Sequence, residues 1–130
     1  FTRIEKMYDQ SQEKLLDMGH LQVLVMGRTL VEDGRWRMVL DYLKQEIPKI
    51  RLIEPEGTYL LWLDCRELGL SVEELEHLVV DKANLWLDPG FIFGAVGEGF
   101  ERINIACPRQ TLRQAMDQLR DALNAEAFLN

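Results

Sequence analysis

The stretch GEGFERINIACPR, Gly97 to Arg109, decides how this chain folds. Its middle alternates like a half-buried β-strand, with Ile103 and Ile105 on one face and Arg102 and Asn104 on the other. Glu101 falls on the isoleucine side, where a place at the strand's end is expected to keep it in water. Glycines at 90, 94, 97 and 99 precede the strand, and a residue without Cβ lets backbone run close to another group, as ligand loops require. The helix that follows sets Leu112, Ala115, Met116, Leu119, Ala122 and Leu123 on one face, with Arg113, Asp117, Gln118 and Arg120 towards water. A helical layer over the isoleucines leaves Arg102 on the opposite face of the sheet.

Upstream, RLIEPEGTYLLWLDC (51–65) predicts a short strand, a Pro-Glu-Gly turn and a longer strand from Thr58 to Asp64. The longer strand is nearly continuous in apolar residues, as a central strand is. Tyr59, Leu61 and Leu63 share one side of it, Leu60 and Trp62 the other. SVEE, Ser71 to Glu74, is a capping box that opens a helix over Leu75, Leu78 and Val79. NLWLDPG (84–90) predicts a third short strand, ended by Pro89 and Gly90. Further back, Trp36, Val39, Leu40, Leu43 and Ile47 recur at helical spacing, with Asp33 as N-cap and Pro48 as the stop. Residues 2–17 read as another amphipathic helix, and the apolar run from His20 to Gly34 fits helix or strand. The expected fold is α/β of the α+β kind: a small, mainly antiparallel sheet with helices on one face, preceded by linking helices. The division is 1–33 as a helical linker and 34–130 as the domain.

With 130 residues, 47% apolar and 28% charged, the chain has the composition of one soluble globular domain. A net charge of -7 without any run of Lys or Arg argues against binding nucleic acid or anionic membrane through clustered positive charge. No apolar stretch reaches the ~20 residues of a membrane span. The first residue is Phe, so the natural start is expected to lie elsewhere. Cys65 and Cys107 read as small apolar side chains, reduced and unpaired. His20 and His77 have no partners at metal-ligand spacing, so no metal site is expected. An arginine beside a glycine-rich turn suits a carboxylate, because the planar guanidinium donates two parallel hydrogen bonds. A solvated, inert arginine on an open face satisfies the same alternation. The glycine spacing matches neither the dinucleotide nor the P-loop pattern.

Two segments carry a more specific likeness. PEGTYLLWLDCRELGLS, Pro55 to Ser71, and LDPGFIFGAVGEGFERINIACPR, Leu87 to Arg109, resemble the C-terminal small domain of fold-type I pyridoxal-phosphate enzymes. Within the class I and II aminotransferase family the likeness is to cystathionine β-lyase-like C–S lyases. It runs from about Trp36 to Leu123, and GRTLVEDGRWRMVLDYL (27–43) is similar but looser.

The resemblance implies β-elimination from cystathionine or another cysteine thioether, giving thiol, pyruvate and ammonia, with transamination as the nearest alternative. A non-catalytic module that binds a partner through the open sheet face is the alternative of another class. The resemblance implies that Arg102 binds the substrate α-carboxylate, that Asn104 supports it, and that Gly90, Phe93, Gly94 and Gly97 form a loop near the active site. Arg109 is read instead as a surface residue at the start of the helix. It also implies a cytoplasmic homodimer that uses pyridoxal 5'-phosphate. The lysine that carries the family's cofactor lies in the large N-terminal domain, and none of Lys6, Lys14, Lys44, Lys49 and Lys82 stands in such a setting. This chain alone is therefore expected to hold no cofactor and to be inactive.

Overall fold

Pro48 does what its ring dictates: helix α1, Arg35–Glu46, stops with Ile47 as its C-cap, one residue before the proline. The computed structural model describes residues 34–126. The helix expected over 2–17, the apolar run up to 33 and Asp33 itself lie outside the described residues. The cap of α1 is Gly34, at φ 72, with no side-chain hydrogen bond, rather than the expected aspartate. A left-handed backbone at that position is the physical reason for a glycine there.

Four strands follow in the spatial order β1-β2-β4-β3, each pair antiparallel. They are β1, Arg51–Ile53, β2, Leu60–Asp64, β3, Asp88–Pro89, and β4, Phe100–Asn104. The third takes in only Asp88 and Pro89 of the segment 84–90. Between β2 and β3 the capping box forms as read: Ser71 Oγ accepts from Glu74 N at 3.2 Å, and Glu74 Oε2 accepts from Ser71 N at 2.8 Å. It opens α2, Val72–Glu76, which continues as a wider π-helical turn over His77–Lys82. The last helix, α3, is Arg109–Ala125.

Register explains the two faces. Leu61 stands opposite Ile103 and Leu63 opposite Glu101, and this face is buried under the helices. Leu61, Leu63 and Ile105 join Val39, Leu43 and Ile47 of the first helical segment and Leu112, Met116 and Leu123 of α3 in one core. Each such side chain contributes roughly 1.5–3 kcal/mol relative to an exposed one. Asp117, Gln118 and Arg120, expected in water, are half-buried instead. Asp117 accepts from the Tyr42 hydroxyl of α1, and Gln118 donates to the Ala83 carbonyl at 2.9 Å. These polar contacts lock α3 to its neighbours, which hydrophobic periodicity does not report.

Glu101 is the clearest departure. It is 1% exposed, not wetted at a strand end, because the β2–β4 ladder continues past it through Cys65 N to Gly99 O at 2.9 Å. Its carboxyl lies beside that of Glu76, and Oε2 has no hydrogen-bond partner.

Gly90 and Gly97 pack backbone to backbone, and a Cβ on either would overlap the other's carbonyl oxygen. Their missing side chains let the loop close on itself. Gly97→Ala is expected to cost about 1–3 kcal/mol, since a rigid backbone has to move apart. A urea midpoint unchanged from the parent chain would count against that closure.

Candidate functional site

The sheet face turned away from the helices carries a cross-strand row. Ile53 of β1 pairs with Trp62 of β2, Trp62 with Arg102 of β4, and Arg102 with Asp88 of β3. Directly opposed residues project from the same side, so four neighbouring strands deliver these side chains together.

Arg102 is held from two directions. Nε and Nη2 donate to Asp88 Oδ2 at 3.1 and 2.9 Å. Its guanidinium carbon lies 4.4 Å from the centre of the Phe93 ring, a cation–π contact. Phe93 in turn meets Trp62 edge-on, 5.3 Å between centroids. The Arg102 side chain is 25% exposed, so it is fixed without being sealed from a ligand. A second set repeats the pattern beside it. Arg66 donates from Nε and Nη2 to the two oxygens of Asp64 at 2.9 and 2.8 Å and lies over Phe100. The hydrogen bonds from Arg66 hold the Asp64 carboxyl below its usual range.

Of the residues singled out in the sequence, the structure brings Phe93 onto Arg102. Asn104 shares the face, but its Oδ1 accepts from Ala106 N at 2.8 Å, which shapes the exit of β4 and makes no bond to Arg102. Gly90 and Gly97 serve the loop closure, and Gly94 sits at φ 125 in an exposed turn. Arg109 lines a groove with Arg37, Arg113, Arg120 and Tyr42 between α1 and α3, away from Arg102. Asp88 was not foreseen. Only its place in LDPG, immediately before the glycine turn that leads to the arginine strand, hints at it.

The thiols take no part in this face. Cys65 is buried and Cys107 half-buried, both free, and burial pushes the Cys65 thiol well up. His77 is exposed and pairs with Asp81. No group of three His, Cys, Asp or Glu able to hold a metal occurs among the described residues. No helix among them is long and apolar enough to cross a membrane.

The lysines among the described residues lie apart from Arg102. Lys44 lies in the last turn of α1, Lys49 in the link to β1, and Lys82 pairs with Glu126 at the end of α3. None stands in the row with Arg102.

No family model matches the sequence. Cystathionine beta-lyase PatB of Bacillus subtilis is 37% identical over 83 residues, 64% of this chain and 21% of that protein. An aspartate aminotransferase of Pyrococcus horikoshii is 33% identical over 92 residues, 71% of this chain and 23% of its own. The crystal structure of cystalysin from Treponema denticola, which contains a pyridoxal 5'-phosphate cofactor, is similar over 79% of this chain and 26% of its own, with TM-score 0.72 and 34% identity. The chain thus spans between 21% and 26% of the length of these proteins. The antiparallel sheet with its covering helices matches the expected fold, and in sequence and fold alike the chain is similar to the corresponding part of pyridoxal-phosphate-dependent C–S lyases and aminotransferases.

Proposed function

We propose that residues 34–130 form the small domain of a C–S β-lyase, joined by residues 1–33 to a larger part of the enzyme, and that Arg102 binds the substrate's α-carboxylate. The observation that carries this reading is a half-buried guanidinium held by Phe93 and Asp88 on the sheet face turned away from the described helices. The substrate is a cysteine thioether such as cystathionine, and the products are a thiol, pyruvate and ammonia. Pyridoxal phosphate, bound by residues beyond those described, supplies the electron sink. The part played by this chain is positional. Arg102 fixes the carboxylate and so sets the direction of the Cα–H bond that has to break. In this reading the full-length protein is a cytoplasmic homodimer, and this chain alone is inactive.

A second reading is aminotransfer, favoured by the 33% identity to an aspartate aminotransferase. The same carboxylate arginine serves both reactions. Product balance separates them. Cystathionine given to the full-length enzyme without a keto acid is expected to yield thiol, pyruvate and ammonia in equal amounts. Turnover that stops unless a keto acid is added would make it an aminotransferase.

A further inference from the structure

The Phe93 ring fixes the plane of the Arg102 guanidinium, yet a ring face leaves the group free to turn within that plane. A second contact has to stop the rotation. Asp88 stands directly opposite Arg102 in the β3–β4 pairing, so both side chains leave the sheet on one side. Nε–H and Nη2–H converge on one oxygen, Oδ2, and both hydrogen bonds lie on the side-on edge of the fork. The other edge, Nη1 with the outer hydrogen of Nη2, also has two parallel donors, and Asp88 leaves it to an incoming carboxylate. The mount is firm: Asp88 is followed by Pro89, with φ near -66, and then by the Gly90–Gly97 closure.

We propose that Asp88 is the positioning residue for Arg102, taking its side-on edge so that the end-on edge meets the substrate carboxylate. The inference rests on the reading of Arg102 as the carboxylate ligand. Asp88 carries 43% exposure, so water screens its charge, and its effect is geometric more than electrostatic. An asparagine keeps an oxygen acceptor in the same place and loses the charge. An alanine loses both.

The test uses the full-length holoenzyme, with a thioether amino acid and its α-carboxamide as paired substrates. Misplacing a binding group by an ångström can cost on the order of a hundredfold. Asp88→Ala is expected to lower kcat/KM on the carboxylate about ten- to a hundredfold, with most of the loss in kcat. Asp88→Asn is expected to stay within about threefold of wild type. On the carboxamide, Asp88→Ala and wild type are expected to be equal. Should Asp88→Ala not fold, Asp88→Ser is read in the same way.

An equal loss on both substrates, an Asn variant as poor as the Ala variant, or an Ala variant unchanged on the carboxylate would each overturn the inference. Arg102→Ala, assayed alongside, keeps the two readings apart. If it is inactive while Asp88→Ala matches wild type, only the role of Asp88 fails. If it is fully active, the carboxylate reading fails, and the role of Asp88 fails with it.

Discussion

Arg102→Ala in the full-length enzyme is expected to lower kcat/KM by roughly 30-fold to several thousandfold. That is the equivalent of the about 2–5 kcal/mol lost when one partner of a desolvated charge pair is truncated. The loss has two parts. A substrate carboxylate placed there would meet the Phe93 ring without its charge-assisted donors, and the Cα–H bond would lose its fixed direction. Arg102→Lys is expected to recover little, since a single ammonium cannot reproduce the planar fork or its stacking on a ring. Arg109→Ala, in the groove between α1 and α3, is expected to leave kinetics nearly unchanged. Steady-state constants for the three variants check the assignment, and an active Arg102→Ala enzyme would end it.

The second large effect concerns stability and pH. Burial pushes the Glu101 carboxyl up to about 8, and the neighbouring carboxyls of Glu76 and Asp88 push in the same direction. In the unfolded chain the group ionises near 4.5. Between these values the folded state holds a proton that the unfolded state has released, so stability falls as pH rises from about 4.5 to about 8. Each unit of difference is worth about 1.4 kcal/mol, so by pH 9 ionising Glu101 costs at most about 5 kcal/mol. Glu101→Gln keeps the shape and cannot ionise. It is expected to match the parent near pH 5 and to exceed it by most of that amount at pH 9. Urea unfolding at the two pH values measures both. Parallel losses of stability in the two proteins would show that Glu101 is not the titrating group.

What was legible in the sequence was what neighbouring residues decide among themselves. Ser71 and Glu74 satisfy each other's backbone within one turn, Pro48 forbids its own predecessor the helix, and the 102/103 alternation follows from the pleat alone. The less legible features all depend on residues distant in sequence or on the chain's third dimension. Glu101 is dry because β2 pairs past it. Asp88 reaches Arg102 only once β3 and β4 lie side by side, 14 positions apart. The glycines at 90 and 97 also meet each other, a contact the sequence does not announce, because closeness of backbone to anything requires the same residue. Which partner comes close is decided by the turn as a whole.

That closure also acts as a frame marker for the strand after it. Residues gained between Gly94 and Gly97, past the Phe93 that holds Arg102, enlarge a turn whose Val96 already faces outward, and the phase of the strand does not register them. One residue gained or lost at Glu98 or Gly99 is another matter, because β4 begins at Phe100 and its phase is counted from the pinned pair. A shift of one would exchange the two faces of the strand, sending a guanidinium into hydrocarbon and releasing Glu101 to water. Length variation is therefore cheap on one side of Gly97 and ruinous on the other.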